Sequence, residues 1–275
     1  MAFKDILVYV DATATAPACL SVATNLAETH DAHLTALHVS PPPFVMGDFG
    51  PGGAAEVIRW QEEQTRQLAA RAEQQVAEAR QRSGRDIEWR RAAGEILPTI
   101  RLHGHYADIV VVSQGGREDE PVSVDLLPET VAMGCGRPAL IVPAYGKYPQ
   151  LGDRVLVAWN RTREAARAVH DALPILTRAR TVQILEVNPP SGGEPHIAGA
   201  DVALHLARHG VKAEVEAATV SDIDTAATIL SRAADLGSDL LVMGAYGHSR
   251  LREFTLGGVT RHVLKHMTLP VLMSH

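Results

Sequence analysis

Gly244 to Thr260 reads G-A-Y-G-H-S-R-L-R-E-F-T-L-G-G-V-T, and this stretch decides how the rest of the chain is to be read. It follows Asp239-Leu240-Leu241-Val242-Met243, an apolar run with the signature of a buried strand, and runs into Val259 to Met267, which has helical spacing. A strand, a glycine loop and a helix in succession bring backbone N–H groups and the positive end of a helix dipole to one place, an arrangement suited to an anion. Glycines let the chain turn with positive φ and keep Cβ atoms away from an approaching phosphate. No Gly-Lys-Ser/Thr follows the glycines and no G-x-G-x-x-G occurs here, so neither the P-loop nor the dinucleotide fingerprint is present.

Working outward, the same unit occurs twice. Asp5-Ile6-Leu7-Val8-Tyr9-Val10-Asp11 answers to Arg154-Val155-Leu156-Val157-Ala158-Trp159-Asn160, and Leu34 to Pro41 answers to Val182 to Pro189. Ala107 to Val112 matches Ser238 to Met243, and Arg137 to Val142 matches Leu269 to Met273. Four pairs in one order mark a tandem duplication, divided at Ala144 to Gln150 into domains expected at 1–146 and 150–275.

Each half alternates strands and helices. In the first, strands are expected at 6–10, 34–39, 87–92, 108–112 and 138–142, with helices at 16–30, 54–82 and 95–104. In the second, strands at 154–159, 181–187, 212–219 and 239–243 alternate with helices at 162–177, 198–209 and 222–236, the last capped by Ser221 or Asp222. Strands that are apolar throughout, separated by helices, predict α/β architecture with parallel sheets covered on both faces. If the chain winds one way through three strands and returns for two, the first and fourth strands become neighbours, and a crevice opens at their carboxyl ends. Asn160 and the Gly244 loop then share that crevice. The two closing strands each open with a proline (Pro138, Pro270), which fits an edge or first-strand position.

Composition sets the bounds. The 275 residues are 46% hydrophobic and 21% charged, a globular balance, with a net charge of −6 that disfavours nucleic acid and anionic membranes as partners. No apolar run reaches the roughly 20 residues of a membrane span, and the short apolar start is interrupted at Asp11, unlike a signal peptide. Cys19 and Cys135 lie far apart, as idle thiols in a reducing compartment would, and a cytoplasmic protein is expected.

The spacing Gly244-x2-Gly247-x9-Gly257-Gly258 resembles the universal stress protein family, whose nucleotide-binding members carry G-2x-G-9x-G-(S/T) after the fourth strand. The resemblance spans nearly the whole chain. It implies two tandem open five-stranded sheets of order 3-2-1-4-5, of the adenine nucleotide alpha hydrolase-like type, with the closing strands pairing as in family dimers. It also implies an adenine nucleotide, ATP with Mg, held by an acid after the first strand, an apolar residue ending the second, and the glycine motif. Carried over, these positions are Asn160, Val187, Met243, Gly244, Gly247, Gly257, Gly258, Val259 and Thr260. Two of them depart from the pattern: Asn160 replaces the acid, and Gly258 replaces the Ser/Thr. Each change removes interactions of about 0.5–1.5 kcal/mol. Asn160 reads equally as a turn or N-cap residue ahead of Thr162.

The first half keeps Asp11, but aligned back from its last strand the Gly257-Gly258 positions fall on Asp125-Leu126, and Pro128 follows. That half is expected to have lost the site and to serve as built-in partner of the second, a homodimer being a further assembly the family allows. Thirteen histidines include His262 and His266 at i and i+4, a spacing that can chelate zinc; His103/His105 and His30/His33 are similar. Without H-E-x-x-H or a third ligand these read as surface histidines, as does His248, and no metal site is expected. No nucleophile elbow or general base presents itself, so the expected role is non-catalytic, a slow ATPase being left open. Two functions stand side by side: a nucleotide-binding stress response protein, or a nucleotide-free interaction scaffold of the same fold.

Overall fold

The computed structural model describes residues 2–44, 53–114, 127–189, 199–220, 225–245 and 258–275. The first half builds β1 (Asp5–Tyr9), α1 (Ala16–His30), β2 (His33–Ser40), α2 (Gly53–Ser83), β3 (Glu88–Ala93), α3 (Ile96–Gly104), β4 (Ile109–Ser113), α4 (Leu127–Gly134) and β5 (Ala139–Val142). The second builds β6 (Arg154–Trp159), α5 (Arg163–Leu176), β7 (Thr181–Val187), α6 (Ala200–Arg208), β8 (Ala213–Ala218), α7 (Thr225–Asp235), β9 (Leu240–Gly244), α8 (Gly258–His266) and β10 (Val271–Ser274). Each element falls within a few residues of its expected place except α4, a helix between β4 and β5 for which none was expected. The caps proposed at Ser221 and Asp222 lie outside the described residues.

Within each half the strands are parallel and the order is 3-2-1-4-5, as expected. The two sets are continuous. β5 and β10 pair antiparallel, Ile141 opposite Val271 and Ala139 opposite Met273, giving a single ten-stranded sheet of order β3-β2-β1-β4-β5-β10-β9-β6-β7-β8. Pro138 and Pro270 sit just ahead of these strands, and their carbonyls accept N–H bonds from Val110 and Leu241. Neither needs a donor of its own, so proline is accommodated beside the sheet.

Strand composition follows position. β4, flanked on both sides, is buried along its whole length, as is β5. The terminal strands β3 and β8 carry Glu88, Arg90 and Arg91, and Glu214 and Glu216, charges that blunt an open edge. Side chains alternate between two cores. One, under α1, α2, α5 and α6, takes Val8, Val157, Ile184 and Val242; the other, under α3, α4, α7 and α8, takes Leu7, Leu156, Leu185 and Met243. The long α2 buries Ala69, Ala72, Val76 and Ala79, while Leu68 is exposed.

The duplication extends to the backbone. Asp108 accepts the N–H groups of Lys4 (2.7 Å) and Asp5 (3.1 Å) at the start of β1, and Asp239 accepts those of Gly152 (2.8 Å), Asp153 (3.0 Å) and Arg154 (3.2 Å) at the start of β6. After β1 and β6 the chain passes through a left-handed residue at the same place, Ala12 (φ 64°) and Arg161 (φ 61°). Each such residue precedes a threonine at the mouth of the next helix.

Candidate functional site

β6 lies between β9 and β7, with Ala158 opposite Met243 on one side and Leu185 on the other. The ends of three adjacent strands therefore bring Asn160, Val187, Met243 and Gly244 to one carboxyl edge. α8 connects β9 to the parallel β10, so its first residues, Gly258, Val259 and Thr260, return to that edge. Gly247 and Gly257, with His248, lie outside the described residues. Seven of the nine expected site residues are thus placed, and the fold gathers them.

Their surroundings differ. Val187, Met243 and Val259 all pack on the α7–α8 face of the sheet, Met243 as a core residue at 5% exposure. Thr260 is buried and Gly258 exposed. A Cβ placed on Gly258 would meet nothing within 4 Å, so the hydroxyl that this position lacks would have room.

Gly244 has the opposite character. A Cβ there would lie 2.5 Å from the backbone nitrogen of Ala165 and 2.6 Å from the carbonyl carbon of Glu164. The first turn of α5 rests on this glycine, from the face of the sheet opposite α8. Its lack of a side chain is explained by helix–sheet packing before any ligand is considered. In the first half the equivalent position, Ser113, carries a side chain, and its hydroxyl donates to Asp11 Oδ2 (2.9 Å).

Asn160 takes the turn role that its position ahead of Thr162 allowed. Its Oδ1 accepts from the Thr162 N–H (3.3 Å) and hydroxyl (2.8 Å), while Thr162 Oγ1 caps α5 by accepting from Ala165 N–H (3.2 Å). Asp11 makes the same turn through Thr13, at 2.9 and 2.7 Å. The Asn160 side-chain carbonyl is thereby used, which leaves its amide N–H groups as the part that could meet a ligand. Both Asp11 oxygens are engaged within the first half. Asp125 and Leu126, the counterparts of Gly257 and Gly258, lie outside the described residues.

Two carboxylates escaped the sequence reading. Glu186, second from last in β7, is 1% exposed and pairs with Arg161 at 2.5 Å; one of its oxygens has no hydrogen-bond partner. Glu164, in the first turn of α5, is 5% exposed and pairs with Arg163. Burial pushes the Glu164 carboxyl up, but the hydrogen bond from Arg163, its own backbone N–H and Thr162 together outweigh this and hold it below the usual range. Strand alternation puts Glu186 on the side of Ile184, and α5 lies on that same face. Both acids are therefore separated by the sheet from the start of α8. A lone charge in the run Val182 to Val187 was the signal available for Glu186.

The first half steadies α8. Gln114, just after β4, donates from Nε2 to the carbonyls of Leu264 (2.6 Å) and Lys265 (3.3 Å), and its Oε1 accepts from Ala144 N–H (3.0 Å). Glu129 of α4 lies 3.6 Å from Arg261 of α8. No group of three or more His, Cys, Asp or Glu side chains able to hold a metal is present among the described residues.

A doubly wound parallel α/β sheet in which the first and fourth strands of each half are neighbours defines the class. The sequence profile of the universal stress protein family matches residues 2–120 and 152–275, once in each half, and the chain belongs to that family. Universal stress protein Slr1230 of Synechocystis is 31% identical over 94 residues, which cover 26% of this chain and 32% of that relative, about a third of its length. Among solved structures, a universal stress protein from Archaeoglobus fulgidus DSM 4304 superposes with a TM-score of 0.73 at 16% identity, over 98% of this chain and 96% of that one. A functionally unknown protein of Pseudomonas aeruginosa PAO1 follows the same fold, with a TM-score of 0.60 at 16% identity over 99% and 92% of the two chains. The likeness to the Archaeoglobus structure is one of fold, over nearly the full length of both chains.

Proposed function

We propose that the second half binds an adenine nucleotide, ATP with Mg, in a regulatory and non-catalytic role within a stress response. The observation that carries this reading is the open first turn of α8 at the carboxyl edge shared by the paired strands β6 and β9, where a Cβ on Gly258 would meet nothing within 4 Å and Val187 and Val259 pack on the same face. The backbone N–H groups there are the donors an anion would use, and the Val187 side of the crevice is apolar enough for a base. The amide of Asn160 stands at the mouth. Under this reading the first half is an internal partner joined through β5 and β10, the chain works in the cytoplasm, and no helix among the described residues is long and apolar enough to cross a membrane.

Isothermal titration of nucleotide-stripped protein with Mg-ATP tests it, with a Gly247→Asp/Gly257→Asp variant alongside. One saturable site per chain, lost in a folded variant, is the expected result. No heat and no thermal stabilisation at millimolar ATP overturn it. The alternative, a nucleotide-free interaction scaffold, is favoured by one observation: Gly244 and the Asn160 carbonyl already have structural partners in Ala165 and Thr162.

A further inference from the structure

Histidine spacing in this chain does not by itself say which imidazoles meet. His30 is buried edge-on to Phe3, ring centroids 4.9 Å apart, and His33 Nε2 is bound to Glu88 at 2.8 Å. His103 Nδ1 lies 3.2 Å from Arg90. Two pairs behave differently. His205 and His209 on α6 have ring centroids 4.8 Å apart, and His262 and His266 on α8 have them 4.4 Å apart. All four rings are exposed.

We propose that α6 and α8 each carry a two-histidine chelate for a borderline divalent transition cation of the Zn²⁺, Ni²⁺ or Cu²⁺ type. Imidazole nitrogen is a preferred donor for these ions, and i, i+4 placement on a helix puts two such donors on one face. With metal–nitrogen bonds of about 2.0–2.1 Å and a ligand–metal–ligand angle of about 90–109°, two bound imidazoles have centroids roughly 4.5–5.2 Å apart. The α6 pair is inside that window and the α8 pair about 0.1 Å short of it, so the ring centres already stand at nearly the spacing a shared ion requires.

The electrostatic setting supports this. His209 is the C-cap of α6 and His266 the last residue of α8, so both pairs lie at the partially negative end of a helix, where cations are favoured, with Arg208 and Lys265 in the same last turns acting against this. Arg261, next to His262, is directed at Glu129 (3.6 Å). With no group of three or more ligands among the described residues, each chelate contributes two donors and leaves the remaining positions to water. These are loadable surface sites rather than structural zinc centres.

The test is calorimetric titration of the tag-free, chelator-washed full chain with Ni²⁺ at pH 7.5. Two ions per chain are expected; His205→Ala removes one, His262→Ala the other, and the double variant binds none. Ni²⁺ also raises the melting temperature of the wild type and not that of the double variant. Exposed alanines in helices leave the fold intact, which circular dichroism verifies. No binding to the wild type, or a stoichiometry that the double variant leaves unchanged, overturns the proposal.

Discussion

Gly244→Ala tests whether this glycine is there for the fold. The added methyl would stand 2.5 Å from Ala165 nitrogen and 2.6 Å from Glu164 carbonyl carbon, both backbone atoms of the first turn of α5. Restoring an ordinary 3.4 Å contact requires the helix start to move by about 0.9 Å, the difference between 2.5 and 3.4 Å. No side chain can swing aside to absorb that. Overpacking of this kind costs about 1–3 kcal/mol, and disturbing the Thr162 cap on Ala165 adds about 1 kcal/mol. A total of roughly 2–4 kcal/mol corresponds to a fall in melting temperature of about 4–8 °C for a chain of this size. Urea unfolding and calorimetry measure it, with Gly258→Ala as the matched control. There the methyl meets open space, and helix propensity makes the change neutral or stabilising by up to about 1 kcal/mol. Should Gly244→Ala unfold within 0.5 kcal/mol of wild type while Mg-ATP binding disappears, the packing argument fails and the glycine belongs to the ligand.

Three further expectations concern the site, the seam and the core. Gly258→Ser restores the hydroxyl at the start of α8 without a steric obstacle, and a gain of about 0.5–1.5 kcal/mol would tighten Mg-ATP binding by roughly 2–12-fold in the same titration. Gln114→Ala frees the Leu264 and Lys265 carbonyls and costs about 1–2 kcal/mol by urea unfolding, with faster amide exchange in α8 than in β6 or β7. His30, 3% exposed against Phe3, has its pKa pushed down to about 4, chiefly by burial and further by Arg178. Because the folded value lies below the unfolded one, the neutral ring contributes stability above about pH 6.5 that is lost as the pH falls towards 4, about 3 kcal/mol in all. His30→Leu removes that loss, so the stability difference between wild type and variant should shift by about this amount between pH 7 and pH 4.

Much of the architecture was legible because it is written in local patterns. Apolar runs such as Ile109 to Val112 and Leu240 to Met243 can only be strands covered on both faces, and their repetition in fixed order reveals the duplication. Handed crossovers limited the strand order to a few arrangements and the family resemblance implied one of them, and with it the edge to which Asn160, Val187 and Gly258 return. The pairing of β5 with β10 was implied by the resemblance, whose members pair these strands in dimers, and the prolines at matching places fit it. What spacing could not separate was a glycine needed by a ligand from one needed by a neighbouring helix. Gly244 and Gly258 look alike in sequence, yet one lies under α5 and the other faces open space.

The sequence by itself determined the elements, the two-fold repeat, the family and the edge of the sheet that any ligand would approach, since each depends on periodicity or short-range chemistry. Only the tertiary structure decided that α5 lies on Gly244, that Arg161 neutralises Glu186 on the far side of the sheet, and that Gln114 holds a helix 150 residues away. Those contacts depend on how side-chain shapes let helices settle on a twisted sheet. That distance of closest approach is a property of the packed whole and is carried by no local pattern of residues.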